Sequence, residues 1–211
     1  MTQLAEMLAK ADEHLARACP HMAQLVREHG PCTLQLRPEP FQMLVRSITA
    51  QQISGAAARS IMGRLEAAIE PVGITPAAVA GCSEESLRSA GYSARKASYL
   101  LGLAREVLDG NLDFDALATR PDNEIVERLT KLRGIGIWTA QMYLIFCLGR
   151  PDVLPYDDLG VRQALRNFHG LAELPRKPEA IELAAPWRPY ASVASWYCWR
   201  SIDVKVAQEA V

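Results

Sequence analysis

Leu132-Arg133-Gly134-Ile135-Gly136-Ile137-Trp138-Thr139-Ala140 is the stretch on which the reading of this chain turns. Ahead of it, residues 122–131 carry Ile125, Val126 and Leu129 on one helical face, with Asp122 at the capping position and Pro121 just before it. Behind it, residues 137–148 are apolar enough to predict a buried helix interrupted only by Thr139, Gln141 and Tyr143. The stretch therefore reads as two helices joined by a hairpin. Gly134 and Gly136 lack a Cβ, so the backbone can turn tightly there and expose its amides. Those amides sit at a helix N-terminus, where N–H dipoles can hold a phosphate without any lysine. A bare Gly-x-Gly equally serves as the end of one helix and the start of another.

Composition narrows the classes. With 211 residues, 49% of them hydrophobic, the chain can bury a sizeable core as one compact domain or two intimate lobes. A formal net charge of −1 argues against nucleic-acid binding by bulk electrostatics, though a clamp built from backbone amides needs few basic side chains. The five cysteines (Cys19, Cys32, Cys82, Cys147, Cys198) are scattered and form no Cys-x-x-Cys pair. That pattern, without a signal peptide, predicts reduced thiols and a cytoplasmic protein. No apolar run reaches spanning length, so no membrane partner is expected.

Working outward, every segment carries helical signals. Leu4, Met7, Leu8, Ala11 and Leu15 recur at helical spacing, and Gly30 can stop a second helix begun at Pro20. After an extended, proline-rich joint at 31–40, a helix over 41–50 breaks at Gln51-Gln52-Ile53-Ser54, and Ser54 can cap the next. Short pieces fill 71–91, Ser93 caps a strong helix reaching Leu108, and a short helix spans 113–118. Past Asp158, Gly170 stops one helix, Lys177-Pro178 opens another, and Pro189 begins the last. No stretch alternates as a strand would, so the expected fold class is all-α. The joints at 31–40 and 149–157 divide the expectation into a terminal lobe, 1–35 plus 151–211, and a central lobe, 36–150, that holds the hairpin at about 122–148.

Three motifs together carry a resemblance. They are Gly134-Ile135-Gly136-Ile137-Trp138-Thr139-Ala140, Leu154-Pro155-Tyr156-Asp157-Asp158, and Pro186-Trp187-Arg188-Pro189-Tyr190 followed by Ser195-Trp196-Tyr197. Over residues 35–200 the chain resembles the helix-hairpin-helix DNA glycosylases, most closely the alkylation-repair branch of 3-methyladenine DNA glycosylase II. The resemblance implies a two-lobed helical fold with an active-site cleft between the lobes. It assigns the catalytic carboxylate to Asp158, with Asp157 as a supporting or solvated rival. A fixed carboxylate beside the sugar stabilises the positive charge that develops as the base leaves. Relatives that also cut the backbone carry a lysine where this chain has Trp138, so base removal without lyase activity is expected.

The base pocket implied is Trp138, Trp196 and Met142, the last standing where relatives can carry a tyrosine. An indole face attracts a base made cationic by alkylation, by roughly 0.5–2 kcal/mol. The DNA contacts implied are the amides of Gly134, Gly136 and Thr139 at a phosphate and the junction glutamines Gln52 and Gln51, with Gln52 filling the gap left by a flipped nucleotide. The carbonyls of Thr130, Leu132 and Ile135 would hold a monovalent cation against the same phosphate. No organic cofactor is expected, and no four-iron cluster, because only Cys198 lies beyond Asp158. The branch often has an additional N-terminal β-rich domain, whereas the material before Phe41 here reads as helical.

The expected partner is duplex DNA containing damaged bases, met by a monomer acting on the nucleoid. Two other readings stay open at this point: a non-catalytic helix-hairpin-helix module that only grips DNA, and the same fold acting on oxidised or deaminated bases. The first has no use for Asp158 or for the tryptophans at 138 and 196.

Overall fold

A computed structural model of the chain describes residues 2–202, so the last stretch of the expected terminal lobe, 203–211, lies outside the described residues. Among the described residues the regular structure is entirely helical. None of these helices is long and apolar enough to cross a membrane. The elements are α1 (Gln3–Ala18), α2 (Pro20–His29), α3 (Pro40–Ala50), α4 (Gly55–Ala68), α5 (Pro76–Ala80), α6 (Glu84–Ser89) and α7 (Ala94–Leu108). They continue as α8 (Phe114–Ala118), α9 (Asp122–Thr130), α10 (Ile137–Phe146), α11 (Leu159–His169), α12 (Lys177–Leu183), a 3-10 turn (Ala185–Trp187) and α13 (Ala191–Ser201).

Local chemistry sets the helix starts. Ser54, Thr75, Ser83, Ser93 and Asp158 each accept a backbone N–H of the first turn that follows them. Each such cap contributes about 1 kcal/mol. Asp122 is a correction: Pro121 holds the N-cap position of α9, and Asp122 lies in the first turn with Glu124. Their charges still oppose the positive end of the helix dipole.

The described residues divide into two compact units, residues 37–143 and residues 2–36 with 144–202. The second division falls inside α10, between Tyr143 and Leu144, and not in the 149–157 loop. Residues 139–146 are all buried, so this helix offers no polar face or break that marks a division in the sequence.

In the central unit α7 packs against α3, α5 and α6, while α3 packs on α4. Its core includes Leu44, Ile48, Leu65, Leu87 and Leu100, all fully buried. In the terminal unit α13 packs on α1, α2 and α11, and α1 also meets the 3-10 turn. Leu15, Met22, Trp187 and Tyr197 are fully buried there. Burying one such side chain stabilises by roughly 1.5–3 kcal/mol, which fixes the helices that carry the site.

Candidate active site and nucleic-acid interface

The hairpin between α9 and α10 is shaped by one glycine and opened by the other. Gly134 adopts φ +91°, and a Cβ there would fall 2.3 Å from Cδ2 of Tyr99 on α7. No other residue type fits without moving that ring. Gly136 has no such constraint: a Cβ there would meet nothing within 4 Å. It immediately precedes α10, whose first-turn amides have no partner within the helix. Ile135 N–H donates to the Leu132 carbonyl at 3.1 Å, which closes the turn. The Thr139 side chain is buried and bonded to Ser47 Oγ on α3 at 3.2 Å, so only its backbone is suited to face a phosphate.

The junction between α3 and α4 is held against this hairpin. Gln51 (φ −54°, ψ 127°) and Gln52 (φ 58°), with Ile53 N–H reaching the Ala50 carbonyl at 3.4 Å, form a type II turn. Gln52 is the single non-glycine residue with positive φ among the described residues, and it is exposed. Gln51 instead turns inward, its Nε2 donating to the Gly134 carbonyl at 2.8 Å. The two glutamines thus part company: Gln52 stands outward and Gln51 braces. Lys96 Nζ, in the first turn of α7, donates to the carbonyls of Thr49 at 2.6 Å and Gln51 at 2.7 Å. Partial burial, with Arg95 adding to it, pushes the Lys96 ammonium below the ordinary lysine value. Two carbonyl acceptors at the end of α3 offset part of that cost.

In the terminal unit Asp158 is 8% exposed, whereas its rival Asp157 is exposed. Asp158 is the N-cap of α11, and its Oδ1 accepts Val161 N–H at 2.9 Å. The same oxygen accepts Trp199 Nε1–H at 2.8 Å. Two donors on one oxygen fix the plane of the carboxylate. Trp199 also stacks on Phe146, with ring centroids 5.8 Å apart. Gly160 makes room for the indole, because a Cβ there would fall 2.8 Å from Trp199 Cδ1. The neighbouring Cys198 thiol is held well above its ordinary value by burial and by the Asp158 carboxylate. It stays a neutral, inert packing group.

The tryptophans expected around a base differ in exposure. Trp138, second residue of α10, is half-buried. Trp196 is 4% exposed, stands edge-on to Tyr197 at 4.9 Å between centroids, and has the Arg200 guanidinium 5.8 Å from its ring. Its indole N–H is buried and has no hydrogen-bond partner among the described residues. Met142 has no exposed surface, so it belongs to the core and reaches a base only through the residues that cover it. Its place in the buried stretch of α10 is the reason: residues 139–146 leave no open face for it.

Trp199, Lys96, Tyr99 and Gly160 play parts that sequence reading did not assign. Trp199 reads as core packing, and nothing in its spacing announces a bond made 41 positions away. Gly160 carried a usable signal, since a glycine in the first turn of α11 has no capping purpose. Where a cation is concerned, Thr130, Leu132 and Ile135 offer neutral carbonyl oxygens, the hard donors that suit such an ion. Thr130 is the last residue of α9, where carbonyls lack helical partners. The Leu132 carbonyl already accepts one N–H and retains a second lone pair. The donor chemistry therefore fits.

Residues 45–189 match the family described as HhH-GPD superfamily base excision DNA repair protein. The chain is 32% identical over 204 residues to DNA-3-methyladenine glycosylase 1 of Schizosaccharomyces pombe, covering 94% of this chain and 90% of that protein. Among solved structures it is similar to the S. pombe 3-methyladenine DNA glycosylase in complex with abasic DNA. The TM-score is 0.83 and the identity 31%, over 93% of this chain and 98% of that one. It is also similar to a DNA-3-methyladenine glycosidase from Bacillus halodurans, with TM-score 0.78 and 33% identity over 99% and 94% of the two chains.

Proposed function

The chain belongs to the HhH-GPD superfamily of base excision DNA repair proteins, and from that premise we propose that it is a monofunctional DNA glycosylase. It removes alkylated, cationic purines such as 3-methyladenine and 7-methylguanine from duplex DNA. Supporting this are relatives named as 3-methyladenine DNA glycosylases, one of them in complex with abasic DNA. The observation that carries the catalytic reading is the Asp158 carboxylate, buried and fixed in plane by Trp199 and Val161.

The steps follow from the residues. The hairpin amides at Gly134, Gly136 and Thr139 hold one backbone phosphate, and the open space over Gly136 lets it approach closely. A monovalent cation on the carbonyls of Thr130, Leu132 and Ile135 would supply positive charge beside that phosphate. Exposed Gln52 fills the gap as the damaged nucleotide leaves the stack. Trp138 offers an indole face to the cationic base, and Trp196 adds a second ring. Asp158 then stabilises the oxocarbenium-like sugar and orients water, and the free base and an abasic site result. Trp138 has no amine, so the residue at this position forms no Schiff base and the backbone stays intact. The protein acts as a monomer on the DNA of the cytoplasmic compartment.

Release of methylated base from alkylated duplex DNA tests this. Asp158→Asn is expected to slow single-turnover release by ~100-fold or more, with affinity for abasic-site DNA changed only a few-fold. Equal, slow release by both proteins with intact DNA binding would instead make the chain a binding module.

A further inference from the structure

The junction that bears Gln52 and the hairpin that holds phosphate are separate in sequence yet share their supports. Gln51 donates its amide to the Gly134 carbonyl at 2.8 Å. Lys96 donates to the carbonyls of Thr49 and Gln51 at 2.6 and 2.7 Å, flanking the start of the turn. Three residues further along α7, the Tyr99 ring packs so closely on Gly134 that a Cβ there would fall 2.3 Å from it. Positions three apart on a helix share a face. One face of α7 therefore supports both DNA-facing segments, and Gln51 ties them to each other.

The turn also holds a residue in an unfavourable conformation. Gln52 sits at φ 58°, where a type II turn normally takes glycine. A non-glycine residue persists there only when its surroundings over-determine the backbone, and such strain gathers at functional sites. Lys96 and Gln51 are those surroundings. The Cα–Cβ direction from which the exposed side chain projects is thereby set before any DNA arrives.

We infer that Gln51 and Lys96 are positioning residues that lock the Gln52 turn to the phosphate-binding hairpin, so that gripping the backbone and filling the vacated base position happen in one fixed register. Gln51, expected as a DNA contact, has its amide engaged by the Gly134 carbonyl and acts through the Gln52 turn. This rests on the glycosylase reading for its effect on catalysis, though the mechanical link stands on the protein alone. A rigid link matters because a displacement of about 1 Å in a catalytic complex can cost ~100-fold in rate.

Gln51→Met preserves side-chain length and neutrality and removes the amide that donates to Gly134; Lys96→Met removes the second support. Each is expected to slow single-turnover base release from 7-methylguanine duplex by about tenfold, with affinity for undamaged duplex within about twofold for Gln51→Met. The double variant is expected to lose little more than the worse single one, since both supports serve one turn. Amide hydrogen exchange gives a readout independent of catalysis. In Gln51→Met, exchange at Ile53 and at the hairpin amides of 134–139 is expected to rise together by about fivefold. Wild-type release rates in Gln51→Met, fully multiplicative losses in the double variant, or exchange confined to the 50–54 turn would each overturn the inference. A wild-type protein that releases no base would overturn the glycosylase reading instead, and the exchange experiment would still decide the link.

Discussion

At Trp199 a single N–H separates packing from positioning. The ring stacks on Phe146 and its Nε1–H ends on Asp158 Oδ1, the oxygen that also caps α11. Trp199→Phe keeps an aromatic ring and removes the donor. Base release is expected to slow by roughly tenfold, affinity for abasic DNA to hold, and stability to fall by about 1–3 kcal/mol. Stability and rate measured on the same variant separate the roles: a destabilised protein with wild-type single-turnover rate would leave Trp199 as packing alone. Residues of this kind are the least legible in sequence. Asp158 could be read from its motif, but its partner comes from α13, and only packing brings an indole to a carboxylate.

Among the elements, the hairpin distinguishes its two glycines. Gly134 lies at φ +91° against the Tyr99 ring, whereas Gly136 has neither positive φ nor a neighbour for a Cβ. Gly134→Ala is therefore expected to cost about 2–4 kcal/mol, from left-handed strain together with overpacking. Gly136→Ala is expected to change stability by no more than about 1 kcal/mol. It should still weaken duplex binding, because its methyl group would enter the open space that the proposed phosphate clamp leaves over Gly136. Thermal melts and DNA titrations of the pair check this, and equal destabilisation by both would sink the distinction. The helices and their caps were legible because serine, threonine and proline act on their own first turn. The role of α7 was not, since Lys96 looks like an ordinary polar residue after Ser93 until its two carbonyl partners are seen.

On the scale of the whole chain, Asp12 joins distant parts of the terminal unit. It accepts from the Tyr197 hydroxyl of α13 at 2.8 Å and from Cys32 N–H of the extended joint at 3.1 Å. Burial raises its carboxyl above the ordinary value of 3.8, the two hydrogen bonds opposing that shift only in part. A carboxyl whose value is higher folded than unfolded contributes stability that is present below the unfolded value and lost as pH rises through the folded one. Asp12→Asn, which does not titrate, is thus expected to gain on wild type as pH rises from below 3.8 through the acid range. Urea unfolding of both proteins across that range measures it, and parallel pH curves would refute the assignment. The Tyr197 hydroxyl, also within 2.9 Å of the Gly30 carbonyl, is pushed up by burial and stays protonated throughout.

By itself the sequence determined the helical class and the hairpin with its two glycines, because periodicity, caps and short motifs act between near neighbours. Tertiary structure alone decided which glutamine stands outward and which braces, that Trp199 holds Asp158, that Met142 is core, and that the units part within α10. Each of these depends on contacts between segments far apart in the chain, or on which side of a uniformly apolar helix finds a neighbour, and no local pattern encodes either.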